Sequence, residues 1–456
     1  MGNLQLDLKM PFLRDLRANL NLGYDYVKGH VTNYQTPFSP QAWKDGHMRN
    51  DGSTESLKDG LTNKFYENQI RYNLLLDFYL NYNHTFGPVA IDLTAGYSWQ
   101  RFKNKGHNYD QVYAPLAYAS TYATANNMSV EEAREYMAGI NGFQYAPTYY
   151  YSAPYQLLSY FGRANFVFFD KYLVTATVRR DGTSRFAKDC RWGTFPSVAL
   201  GWKLLDESFM SGARGVMNEL KIRAGYGITG QQDLGGDYFP YLPIYGQSTA
   251  LNERYPNPLN PNGEPVFTVT PSAYSGSLKW EETATWNVGV DFAFLNNRIS
   301  GNVDYYKRKT KDLLTYANFA AGSNLSNMGN VNLGDLENTG VEFNIVTRPV
   351  VTRGFTWTSS LNVAWNKNKI TRLADGADGT TGGIGNGVNI QKHQEGFPAY
   401  SFYVYEQVYN ADGTPMEGVF VDRNGDGAIT DADKYLYHSR DPKVTLSWQN
   451  NFAIGN

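Results

Sequence analysis

Phe355, Trp357, Leu361, Val363 and Trp365 share one parity, interrupted only by Ser359. Thr356, Thr358, Ser360, Asn362, Ala364 and Asn366 take the other. Strand side chains alternate between faces, so this segment makes one greasy face and one polar face. Aromatics stand at both ends of the greasy face, with aliphatics between. Ten residue steps at about 3.3 Å, tilted about 40°, rise about 25 Å, the height of the apolar band of an outer-membrane barrel. A soluble strand can alternate too, so the weight of the argument lies in repetition.

The pattern does repeat. Leu4, Leu6 and Leu8 alternate from the start, and Leu20, Leu22, Tyr24 and Tyr26 follow. Leu74 to Tyr82 turns at His84 to Pro88 into Ile91 to Trp99. Tyr160 to Phe168 turns at Asp170-Lys171 into Tyr172 to Val178. Val198 to Leu204 precedes Leu220 to Tyr226. Trp286 to Phe294 turns at Asn296-Asn297 into Ile299 to Tyr305, and Asn-Asn suits a two-residue turn with positive φ. Val341, Phe343 and Ile345 pass through Pro349 to the opening segment.

Composition permits this reading. Mean hydropathy is -0.49 although 42% of the 456 residues are hydrophobic. No run of 18 apolar residues occurs, which excludes a transmembrane helix but not a barrel, whose strands need apolar residues only at alternate positions. A net charge of -2 gives no electrostatic case for a nucleic-acid partner. Cys190 is alone, so no intrachain disulfide forms and a thiolate metal site is disfavoured. Met1 to Leu6 offers no signal peptide and no myristoylation signal; the chain is expected to begin inside a strand, as a fragment would.

Long connections are expected at 29–68, 104–155, 232–279, 311–338 and 367–442, alternating with short ones. Short periplasmic turns and long extracellular loops are how outer-membrane barrels are built. Parity makes 354–366 an outward strand and Val444, Leu446 and Trp448 part of an inward one. The expected organisation is therefore a partial barrel over 1–366, one extracellular excursion over 367–442, and a further strand over 443–456. The fold class is all-β, a transmembrane antiparallel barrel with about 13 crossings. Bacterial single-chain barrels have even strand numbers and must close, so these strands are not expected to make a barrel alone. Ser129-Val130-Glu131-Glu132 is a capping box before Ala133, Tyr136 and Met137, predicting a helix within the loop 104–155.

Asp422, Asn424, Asp426, Ala428 and Asp433 stand at positions 1, 3, 5, 7 and 12 of a calcium-type loop, with Gly427 at position 6. Asp rather than Glu at position 12 shortens the bidentate reach. The alternative is a polar Asx-rich turn without metal. Calcium would be structural, and no other cofactor is expected.

Gly225-Tyr226-Gly227-Ile228-Thr229-Gly230 matches G-x-G-x-x-G, but no helix opens after it, so a dinucleotide site is not expected. Gly376 to Gly387 lacks the Lys-Ser/Thr of a P-loop and reads as a loop tip. The six histidines are expected in loops or turns, and no catalytic constellation stands out. Arg179, Arg180, Asp181 and Arg185 read as a solvated rim or a ligand contact. Tyr149, Tyr150, Tyr151, Tyr155, Trp280 and Tyr400 are candidate platforms for sugar rings, against the commoner role of girdle aromatics.

Five ordered blocks carry a resemblance. They are SYFGRANFVFFDKYLVTATVRRDGTSRFAKDC from Ser159, LKIRAGYGITGQQ at 220–232, WEETATWNVGVDFAFLNNRISGNVDYYKRKTKDLL at 280–314, NMGNVNLGDLENTGVEFNI at 327–345, and EGFPAYSFYVYEQV at 395–408 with the DRNGDG loop. Together they resemble the SusC/RagA family of TonB-dependent outer-membrane transporters over nearly the whole chain. The resemblance implies a 22-stranded barrel with an internal plug in the bacterial cell outer membrane. It implies import of glycans or peptides, captured with a SusD-like surface lipoprotein and energised by the TonB complex. No plug or TonB box is found among these residues, and the last barrel strands of that pattern are expected to lie outside them.

Two rival readings remain. A surface or soluble β-rich glycan-binding protein without transport would have loops of similar length at both ends. A glycoside hydrolase needs two convergent carboxylates, and no pair is nominated.

Overall fold

The alternating segments pair, in chain order, into one antiparallel wall. A computed structural model describes the chain apart from residues 36–46, 49–53, 56–61, 114–115, 134–147, 152–153, 236–238, 248–253, 256–265, 268, 319–321, 323, 327, 374–379, 385–387 and 456. The wall comprises β1 (Gly2–Lys9), β2 (Leu16–Gln35), β3 (Thr62–Phe86), β4 (Val89–Tyr113), β5 (Tyr155–Phe168), β6 (Tyr172–Thr183) and β7 (Trp192–Lys203). It continues through β8 (Met217–Gln231), β9 (Glu281–Phe294), β10 (Ile299–Lys311), β11 (Gly334–Val351), β12 (Phe355–Leu373) and β13 (Val444–Ile454). Each strand is hydrogen-bonded to the next, as the 13 crossings require, and a short strand, Thr148–Tyr151, lies beside the outer end of β4.

Register lines up the greasy parities. Val288, Tyr305, Val341, Trp365 and Val444 are Cα partners in turn across β9 to β13. These five are between 38% and 57% exposed. A continuous apolar surface of this kind has no place in water and every reason to exist against lipid. Ser359, the break in the opening stripe, is provided for: Trp448 of β13 donates its indole N–H to the Ser359 hydroxyl at 2.9 Å. Pro349, which has no N–H, falls where the β11–β12 register shifts, between Thr347 and Val350.

Three expectations need correction. The first concerns the connections at 29–68 and 104–155, which are narrower than expected. β2, β3 and β4 run on past the apolar band, because backbone pairing does not depend on lipid and polar cross-strand pairs sustain it. His30 is 3.0 Å from the Asn68 carboxamide, which is 3.1 Å from His107. The second concerns the histidines. His30, His84 and His107 stand in β2, β3 and β4, and His438 lies in strand Tyr435–Ser439.

The third concerns loop sorting. The outer return between β6 and β7, residues 184–191, is short, whereas the inner link at 204–216 carries two 3-10 turns. The outer return stays compact because Arg185 and Phe186 turn inside and are buried.

The Asn-Asn turn holds: Leu295, Asn296 and Asn297 all have positive φ. The capping box closes too, the Ser129 amide donating to Glu132 at 2.8 Å and the Glu132 amide to the Ser129 hydroxyl at 3.2 Å. Tyr136 and Met137 lie outside the described residues. Sequence reading missed the helix α1 (Leu116–Asn126), which has no acidic residue in its first turn and no basic one in its last.

A small apolar core sits inside the wall near its outer end, where Phe186, Phe195, Leu278 and Trp280 pack together. Trp280 meets both phenylalanine rings edge-on, and its indole N–H donates to the Arg191 carbonyl at 3.0 Å. The glycine motif lies wholly within β8, and Phe195 explains its last glycine. The ring covers Gly230 and Gly193, and a Cβ on either would overlap it. Gly230→Ala should cost about 1–2 kcal/mol by overpacking, and less in a Phe195→Leu background. A double-mutant cycle by denaturant titration of the detergent-refolded barrel checks this; equal costs in both backgrounds would refute it.

Candidate transport lumen and outer mouth

The parity opposite the apolar face is polar and self-paired. Asp77 of β3 accepts from Asn21 of β2 and Ser98 of β4. Arg179 donates to Ser159 at 2.8 Å and to Asp181 at 2.7 Å. Arg223 of β8 forks onto Asp291 of β9 at 2.8 Å through both Nε and Nη2, and reaches Asp304 of β10 at 3.1 Å. Asn302 completes this cluster by donating to Asp304 at 2.6 Å. Such a surface offers water and polar solutes alternating charge, not a field of one sign.

At the outer end this surface forms a cavity of about 590 Å³. Tyr155 stacks on Phe102, centroids 4.7 Å apart and planes 12° from parallel. The Arg185 guanidinium lies 4.2 Å from the Tyr155 centroid and donates to Asp233 at 2.9 Å. Asp25, Arg71, Asn73 and Asn104 also line it. The expected rim cluster is therefore divided. Arg179 and Asp181 face the lumen, Arg180 lies 5.5 Å from the Trp192 ring, and Arg185 is buried rather than solvated.

The candidate aromatics separate likewise. Tyr155 faces the cavity. Trp280 is spent on the core. The side chains of Tyr149, Tyr150 and Tyr151 lie outside the described residues. Tyr400 packs under Arg440, 3.9 Å from ring to guanidinium, and edge-on to His393. Tyr400 and His393 line a second cavity, of about 620 Å³, beside the outer ends of β11 and β12. Burial, and then the Arg440 charge, push the His393 imidazole below its ordinary value.

β12 pairs with β13, and what lies between them leaves the wall and returns. This stretch holds a four-stranded sheet, Thr380–Gly383, Asn389–Lys392, Ser401–Val404 and Tyr435–Ser439, and a hairpin, Gln407–Tyr409 with Pro415–Phe420. The rest of the Gly-rich tip lies mostly outside the described residues. Here Asp422 accepts the Gly425 and Gly427 amides, each at 2.7 Å, and Asp426 accepts the Ala428 amide at 2.9 Å. Asp433 is fully enclosed, accepting the Thr430 amide at 2.8 Å and the Arg423 amide at 2.9 Å. The Thr430 amide first, with those of Asn424 and Arg423, holds its carboxyl below the usual aspartate range. The donors are all oxygens of one loop, as calcium prefers. Among the described residues, however, no three acidic, histidine or cysteine side chains converge as a metal cluster.

Residues 2–449 match the model of the TonB dependent receptor-like β-barrel. The chain belongs to the TonB-dependent receptor β-barrel family. This receptor barrel is 38% identical to the TonB-dependent receptor SusC of Bacteroides thetaiotaomicron, over 96% of the chain and 40% of the relative. It is 30% identical to TonB-dependent receptor P3 of Formosa agariphila, over 96% of the chain and 43% of the relative. Among solved structures it resembles the RagAB peptide importer in its closed-closed state, with a TM-score of 0.73 at 18% identity over 99% of the chain and 45% of the other. The chain thus spans about two fifths of the length of the curated relatives it matches.

A TonB-dependent receptor barrel resides in the bacterial outer membrane, which gives the apolar face its lipid. Sequence reading missed Phe102, Arg71 and Asp25 as cavity residues. Their luminal parity was legible, but their convergence depends on register between strands far apart in the chain.

Proposed function

We propose that this wall belongs to a TonB-dependent outer-membrane importer of nutrients that works with a SusD-like surface lipoprotein. The observation that carries the reading is the division of one wall into a lipid-facing apolar side and a self-paired polar side. The wall does no bond chemistry; its work is selective passage. TonB would supply energy through a plug, none of whose residues is assigned in this chain. Oligosaccharide is the favoured cargo, because the flat Phe102–Tyr155 stack beside Arg71 and Asp25 suits a sugar ring and its hydroxyls. A peptide would rely more on the charged groups. Uptake of labelled maltooligosaccharides and of labelled peptides by cells with and without the gene, paired with Tyr155→Ala, tests this. Loss of neither on deletion overturns the import reading. A protein that stays in the aqueous phase and lacks heat-modifiable gel mobility supports the soluble glycan-binding alternative instead.

The loop holding Asp422, Asn424, Asp426, Ala428 and Asp433 is proposed as a structural calcium site, Ala428 offering its carbonyl. Calcium would draw Asp422 and Asp426 inward and leave Asp433 anchoring the loop's far end. Calorimetry should register calcium binding that Asp422→Ala removes; no heat at millimolar calcium sinks the proposal.

The same loop should loosen in acid. A depressed folded-state pKa means that the Asp433 contribution is present above the unfolded aspartate pKa and lost as pH falls through the folded one. Protection from amide exchange across 422–433, relative to the unfolded chain at the same pH, should therefore fall below about pH 4, and in Asp433→Asn it should be low already at neutral pH.

A further inference from the structure

The outward face of β2, β3 and β4 changes character just above Trp99. Below it the outward residues of β4 are Ile91, Leu93, Ala95, Tyr97 and Trp99; above it come Arg101, Lys103 and Lys105. Register sets these cations on three successive rungs: Tyr24–Leu74–Arg101, Tyr26–Tyr72–Lys103 and Lys28–Ile70–Lys105. Tyr26 and Tyr72 touch, with centroids 5.4 Å apart, and Lys105 reaches over the Tyr72 ring at 5.8 Å. Over Tyr24–Thr32, Asn68–Leu74 and Trp99–His107, no outward position is Asp or Glu. Among the described residues no carboxylate pairs with Lys28, Arg101, Lys103 or Lys105. On β10, by contrast, the outward cations Lys307 and Lys309 share Glu337 at 2.8 and 3.7 Å.

Height decides what meets this patch. Arg101 to Lys105 rise roughly 5–15 Å above Trp99 for a strand tilted about 40°, while Val89 to Trp99 covers the apolar band. The patch therefore stands at the level of the outer-leaflet headgroups, continuous with the lipid-facing surface. We propose that it is a binding site for a phosphate-bearing lipid headgroup of the outer leaflet. Arg101, Lys103, Lys105 and Lys28 take the phosphate, and Tyr24, Tyr26 and Tyr72 pack against the base of the acyl chains. The unpaired charges complement an anion, and the tyrosine floor favours a lipid over a free ion.

Native mass spectrometry of the full-length protein in detergent tests it, with monophosphoryl lipid A and the same lipid dephosphorylated as probes. The wild type should prefer the phosphorylated form. One basic residue at an anionic surface is worth roughly five-fold, so the triple variant Arg101→Ser, Lys103→Ser, Lys105→Ser should lose about a hundred-fold. The charge-keeping set Arg101→Lys, Lys103→Arg, Lys105→Arg should retain the preference. Equal binding of both lipids by the wild type overturns the site, as does an unchanged preference in the triple variant, even one that loses an acidic protein partner. Displacement by inorganic phosphate at equal affinity also overturns it. If the triple variant loses heat-modifiable mobility, Lys103→Ser alone is read, with a roughly five-fold loss expected. Failure here leaves detergent partitioning and import untouched, so it is distinguishable from failure of the transport reading.

Discussion

Arginine at Val303 should destabilise the barrel by about 2–4 kcal/mol, the cost of a cation at the bilayer midplane. Val303 sits at the centre of an apolar row, Ile222, Val290, Val303, Phe343, Val363 and Leu446, which crosses six strands in register. It is 39% exposed, yet its exposure is to lipid, where the guanidinium loses water and gains no partner. The matched control is Asn287→Arg on β9. Asn287 faces the lumen between Gly225 and Tyr306, where a long polar side chain stays hydrated. That change should cost under about 1 kcal/mol, as surface substitutions usually do. Denaturant titration of both variants refolded into liposomes decides it. Equal costs would mean that the two faces are wrongly assigned, and the lipid reading of the opening stripe would go with them.

How much of this was legible depends on how local each signal is. The greasy parity of β12 is readable from eleven residues, because alternation is a property of one strand. So is the Asn296-Asn297 turn, where the positive φ that asparagine tolerates is what the turn needs. The partner of Ser359 is not: Trp448 lies beyond a long excursion, and only the β12–β13 register brings its indole across. Nor is the fate of Arg185, whose charge suggested a solvated rim. Its guanidinium is buried because Tyr155 and Asp233, from two other segments, receive it. Strand length was misread for a different reason. Apolar alternation marks where a strand crosses lipid, whereas hydrogen bonding decides where it ends, and β2 to β4 keep pairing well beyond the greasy band. The calcium-type loop shows the opposite limit. Its spacing was plain, but the same oxygens that bind a cation also cap amides, and here Asp422, Asp426 and Asp433 do so.

Removing Arg223 should have an effect of similar size from the other face. Its guanidinium holds Asp291 and Asp304, carboxylates from two different strands, in one luminal cluster. The three side chains are 31%, 24% and 12% exposed, so neither water nor another cation fully replaces it. Lys221 lies 3.8 Å from Asp291, and among the described residues Asp304 keeps only Asn302. Arg223→Met therefore leaves two like charges on neighbouring luminal rungs of adjacent strands. The expected cost is about 2–3 kcal/mol, somewhat below that of breaking a fully buried pair. Gly289 supports the geometry: a Cβ there would collide with the Asp304 carboxylate and the Arg223 guanidinium, so Gly289→Ala should weaken the same cluster. The diagnostic variant is Arg223→Met with Asp291→Asn and Asp304→Asn, which removes the repulsion along with the cation. If the cluster stabilises the wall through charge pairing, this triple variant should recover most of the loss in a denaturant titration. If it remains as unstable as Arg223→Met, the arginine acts by packing its stem across β8 to β10, and pairing on the luminal face is not what holds these strands in register.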